Sequence, residues 1–406
     1  MKKITEKKMH DKKLGTHDSG QTDYPAPSVE HAEGSTLDPS KMRGGVKVVI
    51  EMESMSPSER YKVHFLGPLA EARPDIDDQP GNSSGRLEFF IPEKVMGLCI
   101  GHTVPIFYTV KQNGVWLGDS IPLDLTITQF STSDPDIPGV YLVEAGAGEN
   151  VDLAKFKGNV NATLVPYPFI AAGQRVWCRV DGTAEDDQPL SRWLMVAYEV
   201  LPYEVLNGFK FQISRYFLNQ LKNWSSIDIH FFLKYDKDTS LDVEPVQAFR
   251  VTTKGIRQTP GYAFYDGTGF EFENMNGWEK GPAVNDPRDL IIRRDGDDWY
   301  AHFYTYTAYS AGVLLEKSFD RLELGREYSF SVFVQRANSA YEVPELSLSI
   351  DGGESTPVTQ FPSRESVKLE LVFIAKSAVM TLKINSHVAT NWGNDFNLRQ
   401  IVVTSI

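Results

Sequence analysis

The densest aromatic stretch of the chain runs Asp297-Asp298-Trp299-Tyr300-Ala301-His302-Phe303-Tyr304-Thr305-Tyr306-Thr307-Ala308-Tyr309. Side chains of an extended strand alternate between its faces. Tyr300, His302, Tyr304 and Tyr306 therefore share one face, and Trp299, Ala301, Phe303 and Thr305 the other. The Trp299/Phe303 face is the better core candidate. The tyrosine face keeps polar tips toward its surroundings, and such rings stack on the apolar C–H face of a sugar while neighbouring Asn, Asp, Arg or Gln side chains bond its hydroxyls. Tyr300, Tyr304 and Tyr306 are thus candidate ligand-binding residues; the bland alternative is a core strand with hydrogen-bonded tyrosines. Trp392, beside Asn391 and close to Asn394 in a polar loop, is a second candidate platform, with Asn391 as a polar partner. Trp278 reads as core.

Other chemistry is thinly represented. No nucleophile elbow, phosphate-binding glycine loop or metalloprotease helix motif is present. Glycoside hydrolysis needs two positioned carboxylates, and nothing singles out a pair among the 54 acidic residues. His64, His230 and His302 fall mid-strand and read as solvent-facing; His10, His17 and His31 lie near the N-terminus. The expectation is a protein that is not an enzyme. Asp77-Asp78-Gln79-Pro80 and Asp186-Asp187-Gln188-Pro189 offer clustered oxygen ligands of the kind hard cations prefer. Asp and Pro are equally the residues of turns, and the turn is the expected role. Cys99 and Cys178 are the two cysteines of the chain, too few for a disulfide framework.

The elements that must position these residues follow from length and patterning. A chain of 406 residues exceeds what one hydrophobic core supports. A net charge of -13 argues against a nucleic-acid partner, and no apolar run reaches the ~18 residues of a membrane span. Residues 1–43 are polar and are expected to form a disordered tail. The Lys-Lys pairs that open the chain lack the apolar stretch of a secretory signal. That leaves cytoplasmic residence or export by a non-classical route, with the cell surface or extracellular space favoured.

Two stretches echo one another. Val46–Ile50 matches Val160–Leu164, and Tyr61, Val63 and Phe65 match Val176, Cys178 and Val180. The two Asp-Asp-Gln-Pro segments come next. Phe90-Ile91-Pro92 then falls on Gln212-Ile213-Ser214, and Val104, Ile106, Tyr108 and Val110 on Ile227, Ile229, Phe231 and Leu233. Each copy holds short strands of period two between Gly, Pro, Asn and Asp turns, the pattern of an immunoglobulin-like sandwich. The second copy carries an insertion around Asp187–Asn207, read as a longer hairpin with buried aromatics or a binding loop. Lys254–Gly261 reads as a linker. Beyond it Tyr328, Phe330, Val332 and Val334 alternate, as do Leu346, Leu348 and Ile350, Leu369 and Leu371, and Leu382 and Ile384; a double-sheet jelly roll is expected. The fold class is all-β: two Ig-like β-sandwiches at 44–130 and 131–254, and a C-terminal jelly-roll β-sandwich at 262–406.

Two resemblances add to this reading. Ile91-Pro92-Glu93, Gly101-His102-Thr103-Val104 and the closing Pro122-Leu123-Asp124-Leu125-Thr126-Ile127 resemble the tandem Ig-like modules of large bacterial surface and toxin-associated proteins. These are packing and turn motifs that specify fold. The opening strand Phe270-Glu271-Phe272-Glu273-Asn274, then Asn276-Gly277-Trp278, with Leu324-Gly325-Arg326-Glu327-Tyr328 and the closing Asn394-Asp395-Phe396-Asn397-Leu398-Arg399, resembles the galactose-binding-like jelly rolls that serve as carbohydrate-binding modules. That resemblance implies a structural calcium ion with ligands near the opening and closing strands, here Glu273 and Asp395. The closing Asn397-Leu398-Arg399 departs from the two successive acids common in such modules. The function expected is a non-catalytic binding or adhesion protein, Ig-like spacers presenting a jelly roll to a glycan or cell-surface ligand. The alternative is a structural or toxin-associated surface protein whose jelly roll binds a protein partner.

Overall fold

Alternating apolar residues commit about half of the chain to strands, and the sheets they form close into sandwiches. The structure is a computed structural model that describes residues 24–239, 247–258, 264–296 and 298–406. It is all-β, with a few short helical turns between strands. No helix among the described residues is long and apolar enough to cross a membrane. The chain divides into two compact units, up to Gln129 and from Phe130 onward.

In the first unit, strands Ser28–Val29, Val46–Glu51 and Arg86–Ile91 form one sheet. The other runs Thr36–Leu37, Leu123–Ile127, Thr103–Gln112, Glu59–Phe65, Gln79–Pro80, with Val115–Asp119 folded back on Thr103–Gln112. Tyr61, Val63, Phe65, Val104, Ile106 and Tyr108 are buried between the sheets, as period two requires. Residues 24–43, expected to belong to a disordered tail, are folded. Ser28–Val29 pairs with Val46–Glu51, Thr36–Leu37 runs parallel to Leu123–Ile127, and Leu37 and Met42 are fully buried. A few apolar residues suffice where each backbone group finds a sheet edge to pair with. The part of the expected tail at 1–23 lies outside the described residues.

The second unit opens with a sandwich of the same strand order. Tyr141–Leu142, Val160–Leu164 and Phe209–Ile213 form one sheet; Asn150–Asp152, Thr252–Arg257, Ser226–Lys234, Arg175–Thr183 and Pro189–Glu199 form the other, with Gln247–Ala248 beside Ser226–Lys234. Arg86–Ile91 and Phe209–Ile213 are each followed by one helical turn, Glu93–Gly97 and Arg215–Leu218. The expected linker at 254–261 begins as a strand. Thr252–Arg257 pairs on both sides and buries Ile256, while 259–263 lie outside the described residues. Asp186-Asp187-Gln188-Pro189 is a turn entering a strand, whereas Asp77-Asp78-Gln79-Pro80 is extended, with Gln79–Pro80 paired to Glu59–Phe65. Asp78 is held by Arg60, and Asp186 accepts from the Gln188 N–H. Cys99 and Cys178 are free and buried, and burial pushes the Cys99 thiol up to about 12.

The jelly roll stacks two sheets. One orders Leu290–Asp295, Asp298–Phe303, Phe396–Ser405, Glu327–Arg336, Val367–Ile374, with Tyr265–Thr268 also on Phe396–Ser405. The other orders Glu279–Lys280, Gly312–Phe319, Met380–Ser386, Glu345–Ile350, Thr359–Gln360. Tyr328, Phe330, Val332 and Val334 are buried on one face as expected, and Trp278 stacks on Phe330 with ring centroids 5.7 Å apart. The opening strand is Tyr265–Thr268. Phe270–Asn274, expected as that strand, is instead a tight turn with Phe270, Phe272 and Glu273 at positive φ.

That turn seats the jelly roll on the sandwich before it. Phe272 packs among Tyr198, Phe209 and Trp299 at centroid distances of 4.7, 6.0 and 5.4 Å. Tyr198 comes from the insertion, which is a long hairpin strand, Pro189–Glu199, with Trp193 left exposed on its other side. Arg294 of the jelly roll pairs with the buried Glu204 carboxylate of the sandwich, and Tyr216 donates to Asp320. Buried Asp266 meets Lys317 at 2.7 Å, and Asn276 donates to the same carboxylate. Burial pushes the Asp266 carboxyl up and the Lys317 ammonium down, and the pairing of the two opposes both shifts.

Candidate functional site: an aromatic cleft at one end of the jelly roll

Strand Asp298–Phe303 lies between Leu290–Asp295 and Phe396–Ser405, pairing Phe303 with Phe396 and His302 with Asn397. Trp299, Ala301 and Phe303 are buried, as their shared face predicts. The Tyr304 N–H donates to the Asp289 carbonyl, carrying the pairing one residue past Phe303, and the strand ends as Thr305 enters the left-handed region at φ 47°. A β-branched residue seldom adopts that conformation. Here two contacts hold it: the Thr305 hydroxyl lies 2.8 Å from the Gly393 carbonyl and 2.9 Å from Asp395 Oδ1.

Tyr304 and Tyr306 consequently project side by side, 49% and 44% exposed, with stacked rings 6.3 Å apart. Arg288 covers the Tyr306 ring at 3.7 Å and is itself gripped by both Asp286 oxygens. This pairing holds the Asp286 carboxyl down at about 2. On the facing side Trp392 is 63% exposed and meets Tyr341 edge to face, with centroids 5.5 Å apart. Between the two pairs of rings lies a cleft of about 410 Å³, with Asn338, Asn391 and Asp395 supplying polar atoms. Asp395 is nearly buried: one oxygen takes the Thr305 hydroxyl and the other the Asn338 amide at 3.2 Å.

Gly393 brings the Tyr341 and Trp392 loops together. Its φ is 79°, and a Cβ there would come within 2.7 Å of the Glu342 nitrogen and 2.8 Å of the Ala340 carbonyl oxygen. Only a residue without a side chain allows that approach. Arg336 fixes the 340–342 loop from behind, donating to the Tyr341 and Glu342 carbonyls at 3.1 and 3.2 Å.

Four of the five ligand-binding candidates therefore converge: Tyr304, Tyr306, Asn391 and Trp392 line one cleft. Tyr300 does not join them. It lies back along the strand with the Arg399 guanidinium 4.8 Å over its ring. His302, expected to face solvent, is buried and shares a hydrogen bond of 2.7 Å with Asn397; burial lowers its pKa. Tyr341 and Asn338 were not foreseen, since 338–342 carries no alternation. An exposed aromatic in a polar loop, the signal that marked Trp392, was available at Tyr341.

Glu273 and Asp395, the metal pair that the jelly-roll resemblance implies, lie toward opposite ends of strand Asp298–Phe303. Glu273 belongs to the turn beside Trp299, and Asp395 sits past Phe303 at the other end of the same strand. Four residues of strand at ~3.3 Å each place those ends roughly 13 Å apart along the backbone. Among the described residues no group of three or more His, Cys, Asp and Glu side chains converges as metal ligands do.

A second groove, of about 440 Å³, lies where Glu271, Trp299, Phe333 and Arg399 approach Gln212 of the preceding sandwich. Its Trp299 is only 9% exposed and offers no open ring face. The cleft of exposed rings is the better candidate.

No protein family and no curated protein matches this chain. Among solved structures it is similar to the C-terminal domain of EclA, described as a sugar-binding protein, at 31% identity over 33% of this chain and 96% of that one, with a TM-score of 0.25. It is also similar to the CBM22-1 xylan-binding domain of Xyn10C from Paenibacillus barcinonensis, at 12% identity over 34% of this chain and 92% of that one, TM-score 0.27. The tandem CBM22-1–CBM22-2 domain of Xyn10C is 10% identical over 66% of this chain and 91% of that one, TM-score 0.28. At these TM-scores the likenesses carry no argument about this chain.

Proposed function

We propose that this chain is a non-catalytic glycan-binding protein whose jelly roll takes a sugar ring in the aromatic cleft, with the two preceding sandwiches as spacers in an adhesion role. One observation carries this: Tyr304, Tyr306, Trp392 and Tyr341, from three separated loops, expose their rings around a single cleft that also holds Asn338, Asn391 and Asp395. Exposed rings of this size are costly to leave in water. Their arrangement suits a ligand with an apolar face and a hydroxylated edge.

The cleft supplies one carboxylate, Asp395, whereas glycoside hydrolysis uses two carboxyl groups set ~5–9.5 Å apart. Binding without turnover is the reading these groups support. The sugar-binding description belongs to the EclA domain; for this chain the case rests on the cleft.

The test is a glycan array followed by calorimetry on the leading hit. Tyr304→Ala and Trp392→Ala should each weaken binding at least about tenfold, a loss of ~1.4 kcal/mol. Their circular dichroism should be unchanged, because both side chains are largely exposed. A flat array, together with binding to a protein partner that survives both substitutions, would sink the proposal.

A further inference from the structure

The cleft has a sign of charge. Its lining contains no Lys, Arg or His, and its single ionisable acid is Asp395. Three guanidinium groups beside the lining have other partners: Arg288 lies over Tyr306 and is held by Asp286, Arg336 is spent on loop carbonyls, and Arg364 donates to Ser339.

Asp395 differs from the other buried carboxylates of this unit. Glu204 is paired with Arg294 and Asp266 with Lys317. Asp289 accepts from three donors, the Asp286 N–H and the N–H and hydroxyl of Thr307. Asp395 has no ion-pair partner among the described residues and receives one donor on each oxygen. A carboxylate has about four acceptor sites, so roughly half of its capacity is left, and the carboxylate lines the cleft. A nearly buried, unpaired carboxylate is unfavourable until a cation or donors reach it. The rings add to the effect, because the faces of Trp and Tyr attract cations.

We infer that the cleft prefers a glycan bearing a cationic amino group, an unacetylated amino sugar, over its neutral counterpart, and excludes acidic sugars. This rests on the glycan-binding reading and adds to it a class of sugar. The ammonium would lie against Asp395 among the rings, with the hydroxyls toward Asn338 and Asn391.

Three probes test it by calorimetry on the full chain: oligomers of glucosamine, the same oligomers fully N-acetylated, and an oligouronate. The amino form should bind about tenfold more tightly than the acetylated form, and the uronate should not bind. Asp395→Asn should bring the amino-to-acetyl ratio to about one. Because that change also puts an amide against Asn338, salt offers a check on the unaltered protein. The amino preference should shrink as ionic strength rises from ~0.01 M to ~1 M, where the screening length falls from ~30 to ~3 Å. Equal binding of amino and acetylated oligomers at low salt would overturn the charge preference and leave glycan binding standing. Failure of all three probes, with a flat array, would remove the glycan reading itself.

Discussion

Thr305 Oγ1 lies 2.9 Å from Asp395 Oδ1, and this contact ties the end of the aromatic strand to the residue that opens the closing strand. Everything on the cleft floor depends on it. Thr305 is held at φ 47°, which sets Tyr304 and Tyr306 on the same side of the turn, while Asp395 is oriented toward the space between the rings. The site is built from a strained residue and a buried acid that hold each other in place.

Thr305→Val keeps the shape of the side chain and removes the hydroxyl. It should cost about 1–3 kcal/mol, the penalty of stripping a buried acceptor of its partner. Thr305→Ser keeps the hydroxyl and loses the β-branch that disfavours positive φ, so it should be close to neutral. Urea denaturation of both variants checks the order. Equal loss in the two would show that the contact with Asp395 carries no weight.

Gly393→Ala should separate Tyr341 from Trp392, because the new Cβ would collide with the 340–342 backbone. A backbone conflict at positive φ costs on the order of 1–3 kcal/mol. Quenching of Trp392 fluorescence by a bound glycan should be lost in this variant, while the sheets melt with undiminished cooperativity.

His302 gives the jelly roll a pH dependence whose sign can be worked out. Burial, reinforced by Arg293, lowers its pKa from 6.5, while Asn397 and Asp395 oppose the shift. The unfolded imidazole therefore takes up its proton at a higher pH than the folded one. Stability is fully present above 6.5 and falls as pH drops through the folded value, then levels off. Thermal melting at about pH 7.5 and about pH 5 should show this loss, and His302→Gln should reduce it. An unchanged pH dependence in the variant would assign the loss to other groups, such as His64, whose pKa burial also lowers.

Arg294→Ala should be the most damaging single change at the seam between the second sandwich and the jelly roll. It leaves the Glu204 carboxylate, with its side chain 1% exposed, without its cation. Breaking one side of such a pair costs about 3–5 kcal/mol. The double variant Glu204→Gln with Arg294→Met should recover most of that loss in chemical denaturation.

Legibility in the sequence followed distance along the chain. Tyr328 to Val334 and Leu346 to Ile350 announce their buried faces through period two alone, and the structure places them there. The Phe270–Asn274 turn was misread because its apolar spacing imitates a strand, while three residues at positive φ make it a turn. Residues 24–43 look too polar to fold, yet the edges they join supply partners for their backbone.

Alternation along the chain was enough to make this an all-β protein and to sort rings such as Trp278, Trp299 and Phe303 into the core, because the period of a strand is a local property. It also marked Tyr304 and Tyr306 as rings on the face away from the core, while a polar loop marked Trp392. Only the tertiary structure decided that these three meet, that Tyr341 joins them, that Tyr300 is left under Arg399, and that Glu273 and Asp395 stand at opposite ends of one strand. Convergence of loops far apart in sequence depends on sheet order and on single contacts such as Thr305 with Asp395, and no local pattern encodes either.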